Sequence, residues 1–168
     1  MQPERSSRHF LVFETALGFV ALAWSAVGLV RLILPERSRE AAVRRIAPSQ
    51  AREVRGGAPL PAFVTDAVSR IRRYAQGEPV DLSSLPLDLD GIEPFDRAIL
   101  AAALRLGFGE VTTYGALAEQ AGFDKIMARD TGAALGRNPL PLVVPCHRIL
   151  AAGGKIGGFS APGGAATK

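Results

Sequence analysis

Leu142-Val143-Val144-Pro145-Cys146-His147-Arg148-Ile149-Leu150 is the stretch on which the reading of this chain turns. It holds the only cysteine among 168 residues, and one of the two histidines follows it directly. A thiol becomes a nucleophile when an imidazole, a cation or a helix N-terminus stabilises its thiolate. His147 and Arg148 place the first two of these beside Cys146. The competing reading is that a lone cysteine in an apolar run is a small core residue. The rest of the chain has to separate the two.

Immediately upstream, Gly136, Asn138 and Pro139 stop a helical pattern over Met127 to Leu135. A shorter helix, Thr113 to Ala121, closes at Gly122, as a C-terminal glycine does. Two short helices joined through a glycine turn, the second carrying Arg129 and Arg137, have the outline of a helix-turn-helix. Further back, Pro94 opens a helix in which Phe95, Ile99, Leu100, Ala103 and Leu104 recur at helical spacing as far as Gly107.

Before Gly91 the character changes. Phe10 to Thr15, Phe19 to Ser25 and Leu29 to Leu34 are β-branched and aromatic runs separated by short gaps containing Gly18 and Gly28, which implies a three-stranded antiparallel meander ending at Pro35. Ser38 caps a helix to Ile46, Ala47 to Leu60 is a connection, and Pro61 to Gln76 is an amphipathic helix with Phe63, Val64, Ala67, Val68, Ile71 and Ala75 on one face. A Pro- and Asp-rich segment containing the strand candidate Leu85 to Leu89 follows. The chain is therefore read as α+β, with a strand-rich supporting domain and connector over 1–90 and a mostly helical domain over 91–168.

With 48% hydrophobic and 21% charged residues the composition is that of a globular protein. One cysteine forms no internal disulfide, and with two histidines it makes no structural zinc site without several carboxylates, so neither metal nor cofactor is expected and a reducing, cytoplasmic setting is. The longest uncharged segment, Thr15 to Val30, is shorter than the ~20 residues of a spanning helix and is broken by glycine, so no membrane association is expected. Charge is uneven: from Lys125 onward stand Lys125, Arg129, Arg137, Arg148, Lys155 and Lys168 against Asp130 alone. Such an excess favours a polyanionic partner, a solvated face being the alternative.

Gly109-Glu110-Val111-Thr112-Thr113-Tyr114-Gly115, the segment from Ala128-Arg129 to Gly136-Arg137-Asn138-Pro139, and above all Pro145-Cys146-His147-Arg148-Ile149 resemble the methylated-DNA-protein-cysteine methyltransferases, or O6-alkylguanine-DNA alkyltransferases. The order and spacing agree, and Phe13 to Gly18 resembles the family's opening more loosely. The resemblance implies a ribonuclease-H-like N-terminal domain and a C-terminal domain with a winged helix-turn-helix-like motif. It implies a monomer acting on double-stranded DNA that contains O6-alkylguanine, with O4-methylthymine as a secondary substrate. It also implies a single-turnover reaction in which the cysteine takes the alkyl group as a thioether.

Residue by residue, the resemblance gives Cys146 as nucleophile, His147 as its base through a water, and Tyr114 as proton donor to the extruded base. Arg129 resembles the finger that fills the vacated stack; Thr131, Gly132, Ala133 and Ala134 are small enough for a helix in the minor groove, and Arg137 joins this DNA-binding set. Asn138 resembles the asparagine that links the two motifs. Val143, Val144, Arg148, Phe159 and Ser160 would form the substrate pocket, the backbone of Val144 reading the guanine edge.

Family members continue past the glycine pair, here Gly163-Gly164, into a helix bearing a relay glutamate, whereas the last residue here is Lys168. On that basis the expectation is a weaker thiolate and a less stable domain than the family norm. Phe159, where many members have tyrosine, and the extra Ala161-Pro162 bear on which alkyl groups fit. The alternatives are a non-catalytic module that binds and flips alkylated bases, a truncated inactive form, and a thiol hydrolase with a Cys-His dyad. The last is disfavoured because adjacent residues rarely aim at each other and no third orienting group is evident.

Overall fold

The computed structural model of the chain describes residues 7–107 and 110–150, which form two compact units dividing between Asp88 and Leu89.

In the first unit, β1 (His9–Thr15), β2 (Gly18–Trp24) and β3 (Leu29–Glu36) make the antiparallel meander that their hydrophobic runs imply. Side chains alternate across a strand, so the sheet has two distinct faces. One buries Phe10, Ala21, Ala23 and Ile33 beneath Ala42 and Ile46 of α1 (Arg39–Ile46). Ser38 caps that helix, its Oγ accepting from the Ala41 amide at 3.1 Å. The other face buries Phe13, Val20, Leu22 and Leu32, and α2 (Ala62–Ala75) lies along β1 with Val64, Ala67 and Ile71 buried. The uncharged segment Thr15 to Val30 belongs to this meander, and no helix among the described residues is long and apolar enough to cross a membrane.

Three details depart from the sequence reading. The sheet has four strands rather than three, because β4 (Arg52–Glu53) pairs parallel with His9 and Phe10 inside the segment read as a connection. Two residues are too few to show a period. Pro35 does not end β3: it lies where the register slips between Phe19 and Ala21, in a bulge of an edge strand, where a missing amide hydrogen is tolerated. The strand candidate Leu85 to Leu89 forms an isolated bridge at the start of β3 instead of a strand. The Leu29 amide donates to Pro86 O and the Asp88 amide to Leu29 O, both at 2.8 Å. The β2–β3 turn is held to the same segment by Ser25, whose Oγ donates to the buried Asp88 carboxylate at 2.5 Å.

In the second unit, α3 (Pro94–Ala103) starts on its proline and stops four residues before Gly107. β5 (Thr112–Thr113) leads into α4 (Tyr114–Gln120), whose first turn is capped by Thr113 Oγ1 accepting from the Ala116 amide. Gly122, at φ +92°, ends α4: its amide donates to Glu119 O and the Phe123 amide to Ala118 O. This paired closure needs a left-handed residue, which glycine supplies without strain. It also sets Phe123 against Phe95 edge to face, with ring centroids 4.8 Å apart. A 3-10 turn, Lys125–Met127, opens α5 (Ala128–Gly136). β6 (Ile149–Leu150) then returns to pair in parallel with β5. Ile99, Leu100, Leu117, Leu140, Val143 and Ile149 are fully buried among these elements.

Gly28 sits so close to the Leu85–Leu89 segment that a Cβ there would lie 2.7 Å from Pro86 O, a backbone atom that cannot yield. Gly28→Ala is expected to lower the urea midpoint by the equivalent of roughly 1–3 kcal/mol with an unchanged m-value. An unaltered midpoint would disprove the tight approach.

Candidate active site and nucleic-acid interface

The chain between α5 and β6 is short, apolar and heavily tied to itself. Asn138, two residues past α5, accepts from the Leu140 amide at its Oδ1 (2.9 Å) and donates from its Nδ2 to Val144 O (3.3 Å). The Val144 amide donates to Leu140 O at 2.9 Å, and the Cys146 amide donates to Val144 O at 2.8 Å. Leu142, within this closed loop, is driven to φ +71°, a region that costs a bulky residue about 1–3 kcal/mol. The loop therefore delivers Cys146 as the first residue of a 3-10 turn, Cys146–Arg148, with its side chain buried.

Two further ties hold that turn. Arg148 donates from Nη1 to Leu106 O beyond the end of α3, at 3.3 Å. Ile149 and Leu150 pair with Thr112 and Thr113, and Tyr114 follows directly. A two-residue parallel ladder thus brings the start of α4 and the end of the cysteine turn side by side, although the whole helix-turn-helix separates them in sequence. The Tyr114 ring lies over Gly132 of α5, where an added Cβ would sit 3.8 Å from it.

The four small residues of α5 do not share a face. Thr131 is fully buried and Ala134 nearly so, Gly132 faces Tyr114, and only Ala133 is exposed. The expectation that all four line a binding surface is corrected on that point: at 3.6 residues per turn, four successive side chains point around the whole helix. The outward stripe is Arg129, Asp130, Ala133, Gly136 and Arg137, preceded by the exposed Ile126. Buried Thr131 has an Oγ1 without a hydrogen-bond partner.

The expectation for the Val144 backbone is also corrected. Its amide is on Leu140 O, and both lone pairs of its carbonyl are taken, by Asn138 and Cys146, leaving nothing with which to read a base edge. Val143 and Val144 are both buried. Arg129 is exposed. Arg137, though also exposed, grips Asp96 of α3 through Nε and Nη2, at 2.7 and 2.8 Å. The sequence reading missed Asp96; its place in the first turn of α3 marked it only as favourable to the helix dipole. The side chain of His147, and Phe159 and Ser160, lie outside the described residues. Among the described residues no cluster of His, Cys, Asp and Glu fits a metal ion.

The hydrogen bonds from Arg137 hold the Asp96 carboxyl below the usual carboxylate range, against the opposing pull of burial. A depressed carboxylate stabilises the fold above the pKa of unfolded aspartate, about 3.9, and that contribution is lost as pH falls through the lower folded value. Asp96→Asn should therefore lower the melting temperature at neutral pH and converge with the parent at the acid end. A constant difference across the acid limb would rule the linkage out.

Asn138→Ala removes two hydrogen bonds from a partly buried loop and is expected to cost about 1–3 kcal/mol. The same change should speed reaction of the Cys146 thiol with an aromatic disulfide, measured by absorbance. Unchanged thiol reactivity would mean that Asn138 does not hold the Cys146 loop.

Comparison with known proteins bears on this unit and on the whole chain. The family described as 6-O-methylguanine DNA methyltransferase, DNA binding domain, matches residues 94–168. The methylated-DNA-protein-cysteine methyltransferase of Mycobacterium tuberculosis H37Rv is 31% identical over 151 residues, spanning 90% of this chain and 83% of that protein. The protein of the same name from Cricetulus griseus is 30% identical over 171 residues, spanning 98% and 80%. The crystal structure of Mycobacterium tuberculosis OGT in complex with DNA superposes with a TM-score of 0.71 at 30% identity, covering 94% of this chain and 86% of that one.

Proposed function

The chain belongs to the methylated-DNA-protein-cysteine methyltransferase family, and from that premise we propose that it repairs DNA by moving the alkyl group of O6-methylguanine onto Cys146. The observation that carries this reading is the tether through Asn138, which couples the end of the helix-turn-helix to the loop presenting the thiol. A helix that grips DNA and a sulfur that reacts with a base are useful together only when their separation is held constant.

The chemistry suits the residues. The Cys146 thiolate attacks the alkyl carbon in line; the S–C bond forms as the C–O6 bond breaks, and the electron pair passes into the guanine ring. Tyr114 supplies a proton to the departing base from its phenolic hydroxyl. His147, next in the chain, takes the thiol proton through a water. The thioether product is not hydrolysed, so each molecule acts once. Free thiols ionise near pH 8.5, and only a few per cent would be thiolate at neutral pH without such help.

An alkyl group on O6 is out of reach inside the duplex, so the nucleotide has to leave the stack, at a cost of roughly a few kcal/mol. Arg129, exposed one position into α5, fills the gap, and Ala133 and Gly136, one and two turns on, permit close approach to the minor groove. O4-methylthymine is a weaker second substrate. Arg148 serves by fixing the turn through Leu106, and Arg137 by fixing α5 to α3 through Asp96. Nucleophile, finger and proton donor all belong to one compact unit, which supports action as a monomer, and a reducing cytoplasm keeps the thiol available.

Duplex DNA carrying tritiated O6-methylguanine provides the test. At most one label per protein molecule should become covalently fixed, none with Cys146→Ala, and Tyr114→Phe should slow transfer roughly a hundredfold. Arg129→Ala should weaken transfer without altering the melting temperature. Tight binding with no fixed label on the parent protein would instead favour the non-catalytic, base-flipping module.

A further inference from the structure

The N-terminal unit contains a cleft of about 970 Å³ that the alkyl-transfer chemistry does not use. Its wall on one side is β1, through Leu11, Val12 and Phe13; on the other is α2, through Thr65, Val68, Ser69, Arg72, Arg73 and Gln76. The segment from Val54 to Leu60 closes one end, turning on Gly56 and Gly57, both at positive φ (+71° and +75°) with open space around them.

β1 borders this cleft with an open edge. The Arg52 amide donates to Arg8 O and the Val54 amide to Phe10 O, so the even-numbered residues of β1 turn their backbone polar groups towards β4. The pairing ends at Phe10 and Glu53, while β1 runs on to Thr15. Val12 is the next residue facing that edge, and β4 is over before it could partner it. At Glu14 the carbonyl is met by a side chain, Arg72 Nε, at 3.2 Å. An unpaired edge of this kind is a template for another strand.

The charge around the edge is positive. Arg39, Arg55, Arg72 and Arg73 all line the cleft. Arg39 and Arg55 share one carboxylate, Glu53, and Arg73 pairs with Glu78. Arg72 has a backbone carbonyl and the Phe13 ring, 5.4 Å from its guanidinium carbon, but no carboxylate partner among the described residues. Leu11, Leu60 and Val68 add apolar wall between the cations.

We propose that this cleft binds an extended, acidic segment of a polypeptide by strand addition to β1. A strand offers Val12 both a donor and an acceptor, which a phosphate group does not. The alternation of a strand would set carboxylates towards α2, where Arg72 and Arg73 stand, and apolar side chains towards the opposite face of the sheet, where Val12 lies. The proposal is independent of the alkyl-transfer reaction.

The probe is a fluorescein-labelled, end-blocked hexapeptide of alternating aspartate and valine, titrated with the full chain and followed by anisotropy. Saturable binding is expected, weakened at least tenfold when the central peptide amides are N-methylated and at least tenfold by Arg72→Gln. Arg55→Gln, a change at an exposed side chain, should weaken it in the same direction and guards against a folding defect at Arg72. The proposal fails if the N-methylated peptide binds equally well, if a lysine-valine hexapeptide does, or if none binds at millimolar concentration. It fails also if tripolyphosphate or an oligothymidylate displaces the peptide at lower concentration than unlabelled peptide, or if sedimentation shows that the edge is taken by a second copy of the chain.

Discussion

The pair of hydrogen bonds made by the Asn138 side chain is the constraint on which the C-terminal unit depends. One amide group, two residues past α5, addresses the backbone at Leu140 and at Val144, and the Cys146 amide hangs from the same Val144 carbonyl. Asparagine is suited to this because its side chain offers an acceptor and donors in one plane; aspartate would lack the donor and leucine would lack both. The backbone groups involved are largely buried, where leaving a polar group unmade is expensive. The closure also accounts for Leu142 in the left-handed region, since a loop held at Leu140 and Val144 has little freedom between them.

Around that tether the unit divides its tasks by helical period. The inner face of α5 carries Thr131, Ala134 and Leu135 into the core, and its outer stripe carries Arg129, Ala133 and Gly136. Arg137 at the end of α5 is held to Asp96, so its charge orients the helix on α3 even though the residue is exposed. The two arginines of the helix-turn-helix therefore differ in work: one is presented to solvent, the other fastens the element that presents it. The β5–β6 ladder adds the last restraint, joining the entry of α4 to the exit from the cysteine turn.

In the N-terminal unit the organising limits are steric. Gly28 allows the Leu85–Leu89 segment to lie on the β2–β3 turn, and Ser25 and Asp88 lock that contact with a buried hydrogen bond. On the far side of the sheet, β4 covers β1 for two residues only. The result is a sheet whose β3 edge is met by the Leu85–Leu89 bridge while the β1 edge stays open beside a cluster of arginines.

Much of this was legible in the amino-acid order. The meander, α1 with its Ser38 cap, α2, the paired helices and their glycine stop all follow from local patterns, because period, caps and turns are properties of neighbouring residues. The family was legible too, since Pro145-Cys146-His147-Arg148 is contiguous. Tertiary structure alone decided the two-residue strands β4, β5 and β6, the bulge at Pro35, the Asp96–Arg137 pair across 41 positions, and which small residues of α5 face outward. Each of these depends on a partner distant in sequence, or on the rotation of a helix about its own axis. Local composition carries neither.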